Sequence, residues 1–382
     1  MSREQRRAPG RRVNRPRADR GRSRVGERFE AEVGPIAHGG HCVVRLPEPE
    51  ARVVFTRHCL PGERVVLEIT EGSEGDRFWR ADAVEVLDAS PDRVQAPCPV
   101  AGPGGCGGCD LQHASLPAQR RLKAAVVAEQ LRRLAGLELD VVVEPVGGDD
   151  PQLRRGLRWR TRQRYVDLGE GRKGLRKHRS HDVVEIDDCL ITGAPSDHVV
   201  AGPSGEPVAF EVADDGFWQV HPSAPSVLVA TVLEMLRPQP GERALDLYAG
   251  VGLFGRFLAD AIGEPGRVVL VEADAAACRH AKRNVPGARV VAGAVEPVLA
   301  EQLDEPFDVV VLDPPREGAR RAVCAAIADR APRAIAYVAC DPAALARDVA
   351  FLAEHGYRLT ALRAFDLFPM THHVECVALL ER

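Results

Sequence analysis

The stretch "LDLYAGVGLFG", residues 245–255, constrains this chain more than any other stretch of its length. An apolar strand-like run carrying Asp246 reaches a glycine turn, and a helix-like run follows at once. Strand, tight turn and helix in that order belong to open α/β sheets, where ligands lie at the carboxyl ends of the strands and glycines permit close approach. From about Gly241 the chain keeps this alternation. "RALDLY", "RVVLVEA", "ARVVAG", "FDVVVLD" and "AIAYVAC" read as strands separated by helical segments, and "YRLTALRAFDLF" and "HVECVALL" read as a closing antiparallel pair.

Gly250, Gly252 and Gly255 also satisfy G-x-G-x-x-G, so a nicotinamide dinucleotide has to be weighed. Glu272 ends the second strand, placed to hold ribose hydroxyls in either case. Two features favour S-adenosylmethionine: Asp246 stands four positions before the first turn glycine, and the fourth strand ends in "DPPR", beginning with Asp313. "DPP" resembles the motif of amino-methylating enzymes, which carry an aromatic residue after the prolines. Arg316 occupies that place here, so the shelf for stacking a base is missing and carbon chemistry is indicated.

Carbon methylation of uracil needs activation, because C5 is a poor nucleophile towards a methyl sulfonium. A thiolate adding at C6 makes an enolate and renders C5 reactive, and a base must then remove the C5 proton. Cys340 in "YVACDPAALARD" ends the fifth strand on the same edge as Asp246, Glu272 and Asp313, and Glu375 begins the last strand as the candidate base. A buried structural cysteine is the plain alternative. Asp341 would not lower the thiol pKa, so activation must come from elsewhere.

Upstream, the organisation changes. Residues 1–28 hold eleven arginines against Glu4, Asp19 and Glu27, a balance of +8 on a chain whose net charge is −4. Residues 1–26 are almost without apolar side chains and are expected to be a disordered basic tail. From Glu27 to about residue 88, five short β-like runs separated by glycine and proline turns indicate a small barrel of the OB type, a form that often binds nucleic acid. "CPVAGPGGCGGCDLQHAS" is a cysteine loop, and "LPAQRRLKAAVVAEQLRRLAG" has helical periodicity ending at Gly136. In "LRWRTRQRY", residues 157–165, strict alternation predicts a strand with Arg158, Arg160, Arg162 and Arg164 on one face, a plausible phosphate track.

The chain holds ten cysteines, more than a reducing compartment would use for disulfides, so a metal site or reactive thiol is indicated for some and burial for the rest. No apolar run approaches the roughly 20 residues of a membrane helix, and the arginine-rich N-terminus lacks the apolar core of a secretory signal. A cytoplasmic protein with a nucleic-acid partner is the resulting expectation.

Taken in order, "DLYAGVGLF", "DPPREG", "YVACDPAALARD" and "FPMTHHVECVALL" resemble the RNA uracil-5-methyltransferases that make 5-methyluridine in rRNA and tRNA. "GERFEAEVGPIAHGGHCVVRL" and "VVFTRHCLPGERVVLEI" resemble a TRAM domain, and the cysteine loop is similar to the iron–sulfur segment of the 23S rRNA members. The resemblance implies a multi-domain chain: a basic tail over 1–26 and a TRAM barrel over 27–88. A small central iron–sulfur and RNA-binding unit would span 89–112 with 150–214, and a Rossmann-like class I methyltransferase 113–149 with 215–382. It implies Cys340 as nucleophile and Glu375 as proton acceptor. Gln219, Tyr248, Asp246, Gly250, Glu272 and Asp313 would hold S-adenosylmethionine, and Cys98, Cys106, Cys109 and Cys189 a [4Fe-4S] cluster. By spacing alone, four such thiols suit zinc equally. RNA is the implied partner, rRNA before tRNA, with no membrane and no obligate protein partner. The chain departs from the family pattern at Leu253 and Ala294, at His221 for an Asn, and at Asp341 for the Asn of the usual Cys-Asn-Pro.

Overall fold

The computed structural model describes residues 21–147, 150–203 and 205–382. Most of the basic tail therefore lies outside the described residues. Its last part does not: Arg24 donates its backbone N–H to Gly72, Gly26 donates to Ile69, and the Arg24 guanidinium lies 5.1 Å over the Trp79 ring. The expected disorder fails for residues 22–26 because they add backbone hydrogen bonds and a cation–π contact to the barrel rim.

The first unit comprises β1 (Arg28–Glu32), β2 (Ile36–Ala37), β3 (His41–Arg45), β4 (Val53–Arg57), β5 (Arg64–Glu71) and β6 (Phe78–Asp88), in the order β1-β5-β6-β4-β3-β2. Every neighbouring pair is antiparallel except β4 with β6. The sheet closes on itself through Val33–Pro35. Val33 donates to Glu63, while Gly34 donates to Val43 and Pro35 accepts from it, so one bent strand is shared by both edges. Alternate residues Val44, Val54, Val65 and Leu67 fill the interior, and Trp79 plugs it.

A helix, α1 (Leu116–Gln130), follows; Ser115 caps its N-terminus, and a π-helical turn, Leu131–Ala135, ends it at Gly136 in the left-handed conformation. Its apolar positions serve two cores. Val126 packs into the barrel, whereas Val127 and Leu131 pack into the C-terminal unit. Beyond it lie β7 (Val143–Pro145), α2 (Pro151–Arg154), the small sheet of β8 (Val166–Gly169), β9 (Arg172–Arg176) and β10 (Val183–Glu185), and the hairpin of β11 (Val199–Ala201) and β12 (Pro207–Ala209).

The arginine-rich segment 157–165 is not a strand. Arg158 takes φ 57°, and the segment makes a single bridge, Arg160 with Thr192. Two of its arginines, Arg158 and Arg162, act as braces instead. Arg158 pairs with Asp188 and donates to the carbonyls of Cys189 and Thr192, and Arg162 donates to the carbonyls of Asp215 and Gly216. Guanidinium groups that satisfy loop carbonyls this way replace the ladder that alternation predicts.

The last unit alternates α3 (Ala224–Leu236), β13 (Ala244–Leu247), α4 (Leu253–Ile262), β14 (Val268–Glu272), α5 (Ala275–Asn284), β15 (Arg289–Ala292), α6 (Val295–Glu301), β16 (Val309–Leu312), α7 (Arg320–Asp329), β17 (Ala334–Ala339) and α8 (Pro342–Glu354), then closes with β18 (Arg358–Asp366) and β19 (Glu375–Glu381). Its sheet runs β15-β14-β13-β16-β17-β19-β18-β7. The strands from β15 to β17 are parallel, and β19 enters antiparallel between β17 and β18. Side chains alternate between two cores: Val310, Leu312, Ile335 and Tyr337 face α6, α7 and α8, while Val309, Val311, Ala336 and Val338 face α3 and α4. Helices on both faces explain why these strands read as unbroken apolar runs.

Candidate active site

A cleft of about 920 Å³ opens along the carboxyl ends of β13, β14, β16 and β17, within the size range of small-molecule sites. Among the residues expected to hold the methyl donor, Gln219, Tyr248, Gly250, Glu272 and Asp313 line it. Glu272 accepts from the backbone N–H groups of Gly250 at 2.8 Å and Asp274 at 2.7 Å, which locks its carboxylate at the strand end with lone pairs to spare. Space beside Gly250 is open, as an approaching ligand requires. Gln219, brought in from the segment before α3, donates to Asp313 at 3.4 Å.

Asp246 does not line the cleft. It is fully buried behind the glycine turn, where one carboxylate oxygen accepts from Gly255 at 2.7 Å and the other has no hydrogen-bond partner. It holds the start of α4 rather than facing a ligand directly. Burial pushes its pKa up to about 8, with the Asp313 and Glu272 charges adding to the effect.

Cys340 and Glu375 meet across the sheet. β17 and β19 are antiparallel with Ala339 opposite Cys376, so the next pair along is Cys340 opposite Glu375, and both line the cleft. Three acids crowd here. Burial raises Asp313 to about 7, burial with the Asp313 charge raises Glu375 well above the usual carboxylate range, and burial followed by the Glu375 and Asp313 charges pushes the Cys340 thiol to about 12. Arg316 is the cation that pulls the thiol the other way.

Sequence reasoning missed Phe217, Phe368 and His373 as lining residues, singled out Arg160 for a phosphate track rather than for this cleft, and noticed Arg316 only for the aromatic it replaces. His373 accepts from the Arg316 guanidinium at 3.2 Å, and its ring lies against that of His372, centroids 4.0 Å apart and tilted by 45°; Nδ1 of His372 lies 2.6 Å from the Asp110 carboxylate. An arginine can only donate and an ionised carboxylate can only accept, so Nε2 of His373 is an acceptor, leaving its proton on Nδ1, and Nδ1 of His372 is a donor. The pair "HH" in the sequence was the signal available for this contact.

Cys98, Cys106, Cys109 and Cys189 line one separate cavity of about 600 Å³, bordered by Arg160, Arg164, Arg176, Lys177 and Arg179. Strand β9 anchors the loop, since Cys106 bridges Lys177 and Gly107 donates to Arg176. Among the described residues no three His, Cys, Asp or Glu side chains converge closely enough for a single metal ion. Cys42, Cys59, Cys278, Cys324 and Cys376 are buried.

Comparison with known proteins bears on this geometry. Residues 299–382 match the tRNA (uracil-5-)-methyltransferase family and residues 226–337 the methyltransferase small domain. An uncharacterised RNA methyltransferase of Streptomyces coelicolor is 46% identical over 94% of each chain. The 23S rRNA (uracil(1939)-C(5))-methyltransferase RlmD of Pseudomonas entomophila is 31% identical, again over 94% of each. This chain belongs to the RNA uracil-5-methyltransferase family. A solved member, the Pyrococcus abyssi tRNA (uracil-54, C5)-methyltransferase in complex with S-adenosyl-L-homocysteine, shares its fold with a TM-score of 0.61 at 22% identity, over 88% of this chain and 98% of that one. As an RNA uracil-5-methyltransferase it is an S-adenosylmethionine-dependent enzyme, and its C-terminal unit has the Rossmann-like fold of that class. No helix among the described residues is long and apolar enough to cross a membrane.

Proposed function

We propose that this RNA uracil-5-methyltransferase methylates C5 of a uridine in 23S rRNA through a covalent bond between Cys340 and C6. The observation that carries the reading is the pairing of Cys340 with Glu375 at the edge of the cleft. Held along Gln219, Tyr248, Gly250, Glu272 and Asp313, S-adenosylmethionine would supply an electrophilic methyl group and a sulfonium charge that favours the ionised forms of Asp313, Glu375 and Cys340.

The Cys340 thiolate attacks C6 of a uridine turned out of its stack. As the S–C6 bond forms, the C5–C6 π pair moves onto O4. That pair returns through C5 to take the methyl group, while the S–CH3 bond pair stays on the donor sulfur, which leaves as the neutral thioether S-adenosylhomocysteine. The Glu375 carboxylate then removes the C5 proton; the C–H pair rebuilds the C5–C6 double bond and the S–C6 pair returns to Cys340. A carboxylate raised by burial is the stronger base for that last step, and Arg316 offsets the negative charge on sulfur.

The choice of 23S rRNA rests on relatives named for that substrate and on the cysteine loop. We read Cys98, Cys106, Cys109 and Cys189 as ligands of a [4Fe-4S] cluster rather than zinc. The resemblance of the cysteine loop to the iron–sulfur segment of the 23S rRNA members makes that choice; the four thiols share one cavity, and its surrounding cations suit an anionic thiolate-bound group of either kind. The cluster would organise the central unit and takes no part in the methyl transfer. The closed barrel is read as a TRAM domain gripping RNA, and the enzyme as cytoplasmic, without an obligate protein partner.

The test supplies labelled S-adenosylmethionine and anaerobically purified protein to total RNA from a strain lacking the gene. Labelled 5-methyluridine in large rRNA is expected; label in tRNA would keep the chemistry and move the target. Glu375→Gln is expected to accumulate a protein–RNA adduct that survives denaturation and is absent in Cys340→Ala. A Cys340→Ala enzyme with full activity would sink the mechanism.

A further inference from the structure

Asp341 puts a carboxylate on the residue that follows the nucleophile. One of its oxygens caps α8, accepting from Ala344 at 2.8 Å. An asparagine would cap equally well, so the helix does not require the charge. Around the Cys340 sulfur, burial disfavours a thiolate and the charges of Glu375, Asp313 and Asp341 add to that effect, with Arg316 opposing them. The second Asp341 oxygen, however, lies 3.0 Å from Nε2 of His38, a residue 303 positions away in the turn between β2 and β3 of the barrel.

That turn is built against the catalytic loop. His38, Gly39 and Gly40 wall a small pocket of about 130 Å³ whose other side includes Arg316, Cys340 and Asp341. Gly40 has φ 77°, and a Cβ there would stand 2.7 Å from that of His372 and 3.1 Å from that of Asp110. The contact is therefore a close fit of barrel on active site, not a passing surface pair.

We propose that His38 is a positioning residue for the methyl transfer: as an imidazolium from the barrel it neutralises Asp341 and thereby lets the adjacent Cys340 ionise. This rests on Cys340 being the nucleophile. Hydrogen bonding to Asp341 raises the His38 pKa against the cost of burial, and the Glu129 carboxylate on α1 adds in the same direction. The barrel thus completes the charge balance of the site as well as holding substrate.

The test compares full-length, anaerobically purified wild type with His38→Gln, Asp341→Asn and the double variant. Peptide-resolved alkylation of Cys340 against pH, without RNA, reports thiolate formation. In His38→Gln the profile is expected to move up by about one pH unit, and single-turnover methylation at neutral pH to fall by about tenfold. Asp341→Asn in the same chain should restore both, because the charge needing compensation is gone. A His38→Gln enzyme that loses rate with an unmoved alkylation profile and no rescue would overturn the proposal, leaving His38 as a docking contact only. An active Cys340→Ala would instead overturn the nucleophile reading beneath it.

Discussion

At the residue scale, Asp246 shows how a motif can locate a site without assigning a role. Its place in "LDLYAGVG" marks the cleft, yet its side chain turns away from it and fastens the start of α4. Its folded pKa of about 8 stands above the ordinary 3.8, so the folded chain holds a proton that the unfolded chain releases. Stability from this residue is full below the lower value and declines as pH rises towards the higher one. Asp246→Asn removes that part of the slope, and urea melts at about pH 5 and about pH 8 should differ less in the variant than in wild type. A slope as steep as wild type would show that Asp246 ionises freely in the fold. That Cys340 and Glu375 share one sheet edge was legible, because each stands where an apolar strand run ends or begins. The histidines were not, since their work depends on Asp110 and Arg316, which are distant in sequence.

Elements were legible where burial sets the pattern. The strands between α3 and α8 read as apolar runs because helices cover both faces, and α1 declared its end through Gly136. Segment 157–165 misled because alternation of arginine is indistinguishable from a strand until one knows where the guanidinium groups go. Arg158 at positive φ and its bonds to loop carbonyls leave no ladder to join. The turn holding Gly40 is the opposite case, a glycine pair read as mere punctuation that turns out to be a contact surface. Gly40→Ala is expected to destabilise by on the order of 2 kcal/mol or more, from the left-handed backbone and the clash together. Thermal melting would register this as a lowered Tm, and an unchanged Tm would mean that the barrel turn is not seated on the catalytic loop as described.

For the whole molecule, α1 is what makes a barrel and a Rossmann-like unit into one enzyme. Lys123 lies fully buried on it, 2.6 Å from Asp366 and 3.0 Å from the Phe368 carbonyl. Burial lowers its pKa and Asp366 opposes that shift. Lys123→Met strands a buried carboxylate and should cost about 3–5 kcal/mol, whereas adding Asp366→Leu should recover at least half of it. Equal losses in the single and double variants, measured by chemical denaturation, would show that the pair contributes packing alone. No periodicity announces such a pair, because its halves are far apart in the chain.

That distance has a consequence during synthesis. Lys123 and Asp366 are 243 residues apart. At roughly 5–20 residues per second, a nascent α1 waits about 12–50 s for the partner that neutralises it. The barrel, complete before α1 emerges, is a folded neighbour available to it in that interval, and Val126 of α1 packs into the barrel core, so the helix can be seated there before Asp366 exists.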